Sequence, residues 1–149
     1  MTAVLVLVFA LGAGAAQIED DEDFFEPAPS LPEGIIGNVR PGPGPRPDRI
    51  DRIRDVFLTL RACWQPPRGS EFSGQELTIR LSFKRSGEVL GNPRITYYNP
   101  GGGTDDREAF TRAVRNAFER CTPLPFTPRF GAAIAGRPFT FRFIDSRPL

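Results

Sequence analysis

The chain has 149 residues, of which 40% are hydrophobic and 25% charged, with a net charge of +1, 16 prolines, 15 glycines and no histidine. This length allows one domain with tails, and the proline and glycine content indicates that part of the chain lies outside the packed fold. Without histidine, and with two cysteines far apart, the chain offers no ligand set for a transition metal. We therefore expect neither a metal nor a cofactor.

The first 16 residues predict a secretory signal peptide. An uninterrupted apolar run, Ala3–Leu11, is followed by small residues with the spacing of a cleavage site at Ala13–Ala15. The run is shorter than the about 20 residues that a membrane-spanning helix requires. Because no Lys or Arg precedes it, an uncleaved N-terminal anchor is the alternative. We expect an exported protein, for which nucleic acid is not an expected partner, and no transmembrane helix after cleavage.

Residues 17–47 predict a disordered linker, acidic at first and then rich in proline and glycine. The acidic run Glu19–Asp23 is followed by Pro41–Pro47, in which proline alternates with glycine. Such a sequence disfavours both helix and sheet pairing and leaves an extended spacer. The folded domain is therefore expected at residues 48–149.

The folded part begins with a predicted helix and a hairpin. Asp48 is a suitable N-cap, and apolar residues then follow helical spacing to Cys63. Leu77–Lys84 alternates apolar and polar residues and predicts a half-buried strand. A turn at Arg85–Glu88 leads to a second strand from about Val89 to Tyr98, interrupted by a proline that is typical of an edge or a bulge.

A second helix and a last strand complete the pattern. Asp105–Glu108 has capping-box spacing, and Phe110–Cys121 has the best helical stripe of the chain. Three prolines follow in a short link. The last strand alternates Phe139, Phe141 and Phe143 with Thr140, Arg142 and Ile144.

The predicted order, α-β-β-α-β, indicates an α+β fold. The crossover through the second helix makes the last strand antiparallel to the first strand, so the sheet has three antiparallel strands in the order 2-1-3. Both helices then pack on one face. The last strand lies at an edge, and its unpaired backbone groups can accept a strand from another chain.

The two cysteines, Cys63 and Cys121, each end a predicted helix and are each followed closely by proline. In an exported protein such a pair predicts a disulfide, here between residues 58 positions apart. Two separate buried thiols are the alternative.

Taken in order, these segments resemble the C-terminal domain shared by TonB and TolA, the periplasmic ends of envelope proteins that link the two membranes of Gram-negative bacteria. The matching segments are Trp64–Pro67, Leu77–Val89, Asn92–Ile95, Phe110–Cys121, Pro123–Pro125 and Arg137–Phe143. The Cys-Trp-x-Pro-Pro motif, with a partner cysteine before Pro-Leu-Pro, is similar to the TolA/TonB-like proteins of some alphaproteobacteria.

The resemblance implies a non-catalytic periplasmic adaptor, active in envelope integrity or transport. Such a domain would bind envelope partners, an outer-membrane receptor or Tol/Pal-type proteins, by strand addition at the last strand. The residues of that strand are Pro138, Phe139, Thr140, Phe141, Arg142, Phe143 and Ile144. TonB carries a membrane-helix histidine that couples it to a proton-driven motor. This chain has no histidine, so we do not expect energised transduction.

An enzyme is the second hypothesis. The carboxylates of Asp105, Asp106 and Glu108 cluster, but they lie where helix capping places them. Neither a nucleophile motif nor a Cys–His pair accompanies them. We therefore do not expect catalysis.

A cell-wall or small-ligand binding module is the third hypothesis. Trp64, Tyr97 and Tyr98 could stack on the sugars of the cell wall, although aromatic residues at the ends of helices and strands often belong to the rim of a core.

Overall fold

The computed structural model describes residues 34–69, 72–102 and 105–147. Its elements are β1 (Ile35–Val39), α1 (Ile53–Cys63), β2 (Glu76–Phe83), β3 (Val89–Asn99), α2 (Arg107–Cys121), α3 (Pro128–Ile134) and β4 (Phe139–Ile144). The predicted signal peptide and the acidic part of the predicted linker lie outside the described residues. None of the described helices is both long and apolar enough to cross a membrane.

The four described strands form one mixed sheet in the order β1-β4-β2-β3. β2 pairs antiparallel with β3 on one side and with β4 on the other. β1 pairs parallel with β4, and Ile35–Val39 lies opposite Phe139–Phe143. The prediction of a three-stranded antiparallel sheet with two helices is therefore wrong, because a fourth strand makes the sheet mixed and a third helix is present.

β1 arises within the segment that was expected to be a disordered linker. Its residues alternate between the helix side and the opposite face, and Val39 is only 1% exposed. Gly37 is required here, since a Cβ atom would lie within 2.8 Å of three ring atoms of Phe57. The missing side chain lets Phe57 of α1 lie across β1 and contact Phe141, with ring centroids 5.1 Å apart. These tertiary contacts stabilise a strand here, although the neighbouring sequence is rich in proline and glycine.

The chain before α1 differs from the expected helix start. The N-cap of α1 is Arg52 rather than Asp48. Ile50 instead forms a bridge to Phe126 and is fully buried. Asp51 accepts a hydrogen bond of 2.7 Å from the Thr127 hydroxyl. The polar residues at this point therefore connect two loops rather than cap a helix.

The expected proline link contains α3. Pro128 is at the start of the helix, where its missing N–H is not needed. The Thr127 hydroxyl accepts a hydrogen bond of 3.3 Å from the Phe130 N–H and so caps the helix. The prolines that suggested a loop thus include one at the position where a helix best accepts proline.

A single core lies between the helices and one face of the sheet. Phe139, Phe141 and Phe143 are fully buried and lie beside Leu81, Ile79 and Leu77 of β2. Rings from α2 and from the residue that follows α1 pack against them, Phe118 at 5.6 Å from Phe141 and Trp64 at 5.2 Å from Phe143. Each such side chain contributes about 1.5–3 kcal/mol on burial. The fold is built on the strand that was predicted to bind partners.

Candidate functional site

The predicted cysteine pair is present as a disulfide. Cys63 and Cys121 are both buried, and their Cα atoms lie 6.0 Å apart. The bond joins the last residue of α1 to the last residue of α2. The Arg120 guanidinium also donates to the Cys63 carbonyl at 2.6 Å, which holds the same two helix ends together. This part of the molecule is structural.

The predicted partner-binding strand, Pro138–Ile144, does not lie at an edge. β4 pairs with β2 on one side and with β1 on the other. The Pro138 carbonyl also accepts a hydrogen bond of 2.8 Å from the Ile35 N–H. The prediction that this strand has unpaired backbone is therefore wrong, because β1 of the same chain occupies the position. A partner strand could pair with β4 only after β1 had left it.

The side chains of β4 are also engaged in contacts within the domain. Its three phenylalanines face the core, and Thr140, Arg142 and Ile144 are half-buried on the opposite face. Arg142 pairs with the Glu76 carboxylate at 2.6 Å. The charge of Arg142 is therefore already balanced within the sheet.

The two outer strands of the described sheet differ in regularity. β3 pairs with β2 through two register shifts, and it contains Gly91 at a φ of 71° and Pro93, which has no N–H. β1 pairs residue for residue with β4. A regular strand is the better template for another strand, because its free donors and acceptors keep an even spacing.

The outer side of β1 is unpaired among the described residues. The Ile35 N–H points toward β4, and successive residues of a strand alternate in direction. The backbone groups of Ile36 and Asn38 therefore point to the open side. The side chain of Ile36 is 63% exposed, which is the highest value among the large hydrophobic residues of the described chain. We call this side of β1 the open edge.

Three arginines border the open edge. A cavity of about 240 Å³ lies between β1 and α1, and Asn38, Arg40, Arg54, Phe57, Leu58 and Arg61 line it. Arg54 and Arg61 lie two turns apart on α1, so they share one face of that helix. We call Arg40, Arg54 and Arg61 the arginine cluster.

The arginine cluster carries uncompensated charge. The lining of its cavity includes no acidic residue. Within the described part of the chain none of the three guanidinium groups has an ion pair. The Arg61 Nε is buried and has no hydrogen-bond partner there. A buried donor without a partner is costly, so the cluster is suited to an anionic group.

A larger groove lies between β3 and α2. Its volume is about 520 Å³, within the usual size range of ligand sites. Apolar side chains of β2, β3 and α2 form its floor, and Arg115 and Glu119 also line it. The floor residues Leu77, Val114 and Phe118 are part of the core itself.

The carboxylates considered for catalysis are each engaged in structural contacts. Asp106 caps α2 by accepting from the Ala109 N–H at 2.9 Å. Asp105 accepts from the Tyr98 hydroxyl at 2.8 Å, and Glu108 lies 3.8 Å from Arg112. Among the described residues no group of three or more His, Cys, Asp or Glu side chains could hold a metal ion.

The aromatic residues considered for sugar stacking are not arranged as a platform. Trp64 is 4% exposed and packs edge-on against Phe110 and Phe143. Tyr98 donates to Asp105 and accepts from the Gln75 amide, so its ring is fixed at the start of α2. Tyr97 is half-exposed. The buried indole of Trp64 removes the central residue of the sugar-binding hypothesis.

A family model described as "Uncharacterised conserved protein UCP034077" matches residues 46–147. The chain belongs to this family. No curated protein and no solved structure matches it. The matched residues contain α1 to β4, with Arg54 and Arg61, whereas β1 and Arg40 precede them. The family match thus covers the helix side of the arginine cluster but not the strand at the open edge.

The structure also brings together candidate site residues that the sequence does not single out. Ile36, Asn38 and Arg40 lie in the predicted linker, and Arg54 and Arg61 lie in the predicted first helix. One signal was available, namely the apolar residues Ile35, Ile36 and Val39 between two Pro/Gly-rich stretches.

Proposed function

We propose that this chain is a non-catalytic interaction domain of the bacterial cell envelope, which binds extended segments of partner proteins by strand addition at the open edge. The observation that carries the proposal is the open edge itself, a regular outer strand with an exposed Ile36. A strand that adds to such an edge gains main-chain hydrogen bonds along its length and needs no catalytic group.

The disulfide and the N-terminal sequence support a periplasmic location. Disulfides persist in oxidising compartments such as the periplasm. The apolar run before Ala13–Ala15 has the features of a signal peptide, and an uncleaved anchor in the inner membrane is the alternative. In either form the domain would face the periplasm.

The order of segments from Trp64 to Phe143 supports a relation to the TonB and TolA C-terminal domains. On this proposal the partners are envelope proteins, such as an outer-membrane receptor or Tol/Pal-type proteins, in transport or envelope integrity. The resemblance implies binding at the last strand. The presence of β1 moves the available edge one strand outward.

Site-specific crosslinking in living cells tests this function. A photoreactive side chain at position 36 or 38 would lie on the sheet face next to the side chains of the incoming strand, so we expect covalent adducts with envelope proteins from both positions. The same residue in place of Arg129, which is exposed on α3, is the control and should give none. If the folded protein gives no adducts from either position on β1, the proposed function is wrong.

A further inference from the structure

The open edge and the arginine cluster are parts of one surface. Asn38 belongs to the edge and also lines the cavity of the cluster. Arg40 follows the last residue of β1 directly. A strand paired with the open edge would therefore pass beside the cavity that all three arginines line.

The charge of this surface differs from that of the neighbouring strand β4 and the residues that follow it. Arg142 on β4 is balanced by Glu76, and Arg147 after β4 by Asp145. The arginine cluster has no such carboxylate among the described residues. Uncompensated arginine next to open backbone selects for a partner that supplies both a strand and negative charge.

The spacing of the cluster suits an extended peptide. Arg54 and Arg61 are seven residues apart on α1, which corresponds to about 10.5 Å along the helix axis. Alternate residues of a strand lie about 6.8 Å apart and point to the same face. Carboxylates at three alternate positions span about 13.6 Å, so they cover the distance between the two arginines.

We propose that the segment bound at the open edge is acidic, with Asp or Glu at alternate positions whose carboxylates pair with Arg40, Arg54 and Arg61. This inference rests on the proposed function and adds the chemistry of the partner. The backbone of the segment pairs with Ile36 and Asn38, and its remaining side chains lie on the opposite face, beside the exposed Ile36.

Peptide binding to the full chain tests the charge requirement. The probe is a fluorescent nine-residue peptide that alternates Glu and Val, compared with the same peptide carrying Gln in place of Glu. We expect the Glu peptide to bind about 10-fold more tightly in fluorescence anisotropy, since three partly exposed ion pairs contribute modestly each. The advantage should shrink as salt is raised.

Matched arginine variants assign the effect to the cluster. Arg40→Gln with Arg54→Gln removes two exposed guanidiniums and should cost several-fold in affinity for the Glu peptide, with the Gln peptide unaffected. The control, Arg85→Gln with Arg129→Gln, removes two exposed arginines elsewhere and should leave the binding of both peptides unchanged. Equal losses in the two double variants would overturn the assignment.

The pairing requirement needs a separate measurement. Ile36→Pro removes an outward N–H that β4 does not use, so it should weaken the binding of the Glu peptide. Ile36→Thr keeps this N–H and is the control. A Glu peptide N-methylated at alternate residues tests pairing without changing the protein. Tight binding of the N-methylated peptide would show attraction by charge alone and would overturn strand addition by an acidic segment.

The outcomes separate this inference from the proposed function. Equal binding of the Glu and Gln peptides, lost in Ile36→Pro, would reject the acidic partner and leave strand addition standing. Crosslinks from position 36 without binding of the Glu peptide would likewise reject the acidic partner and leave strand addition standing. Absence of both crosslinks and peptide binding would reject the proposed function together with the inference.

Discussion

The phenol of Tyr98 lies between two polar partners at the end of β3. It accepts from the Gln75 amide at 2.9 Å and donates to Asp105 at 2.8 Å, with the Arg107 guanidinium 5.3 Å from the ring centre. Burial, followed by the hydrogen bond to Asp105 and the negative charge of that carboxylate, raises the pKa of Tyr98 from 10.0 to about 12. The folded state therefore holds this proton more tightly than the unfolded state.

This difference predicts a pH dependence of stability. Since the pKa of Tyr98 is higher in the folded state, its contribution is fully present below pH 10.0 and is lost as pH rises toward about 12. We expect the free energy of unfolding to fall over this window in urea titrations. In the Tyr98→Phe protein, the free energy of unfolding should decrease less steeply with pH over this window.

Tyr97→Phe is the control for this measurement, because Tyr97 is half-exposed. The Tyr97→Phe protein should keep the slope of the wild-type protein. Identical slopes in the Tyr98→Phe and wild-type proteins would show that folding does not raise the pKa of Tyr98.

The disulfide joins α1 and α2 at their C-terminal ends. It closes a loop between residues 58 positions apart, for which the chain-entropy model predicts about 4 kcal/mol of stabilisation. Cys63→Ala with Cys121→Ala should lower the free energy of unfolding by up to this amount, measured in urea. Reductant should have a comparable effect on the wild-type protein.

The double cysteine variant provides the control, since reductant should not change its unfolding midpoint. The mass of the mature wild-type protein should also rise by about 2 Da on reduction, the mass of two hydrogens. A wild-type midpoint that is insensitive to reductant would contradict the stabilising role of the bond.

At the scale of the whole molecule, β1 closes one side of the core. It covers the backbone edge of β4, and Gly37 lies directly under Phe57. A chain that begins at Asp48 would expose that edge together with apolar surface, and exposed edges pair with one another. We expect this chain to melt at a lower temperature and to self-associate in analytical ultracentrifugation.

A chain that begins at Gly34 retains β1 and is the matched comparison. It should keep the melting temperature of the full chain and should show the same association state in analytical ultracentrifugation. If the chains beginning at Gly34 and Asp48 had equal melting temperatures and were both monomeric, β1 would not be an integral part of the fold, and the open edge would not exist as described.

Local signals predicted much of the framework. The alternation of Leu77–Phe83, the turn at Arg85–Glu88 and the stripe of Phe110–Cys121 correspond to β2, the hairpin turn and α2. Each depends on the chemistry of neighbouring residues. The start of α1 was misplaced at Asp48 because a good capping residue is also a good loop residue, and Ile50 was needed for a contact with Phe126.

The candidate site was less predictable than the framework. The last strand was placed at an edge because no further strand was recognised, and Ile35–Val39 has too few residues for a distinct alternation. Arg54 and Arg61 are ordinary surface residues in sequence. They become a site only because α1 lies next to β1, which places them beside Asn38 and Arg40.

By itself, the sequence determined the elements with strong local periodicity and the pairing of Cys63 with Cys121. Only the tertiary structure decided which strand forms the edge of the sheet. The physical reason is that Ile35–Val39 is stabilised by pairing with β4 and by packing under Phe57, and β4 lies at the far end of the chain. Local sequence does not encode such distant contacts, so both the open edge and its arginines became visible in the folded protein.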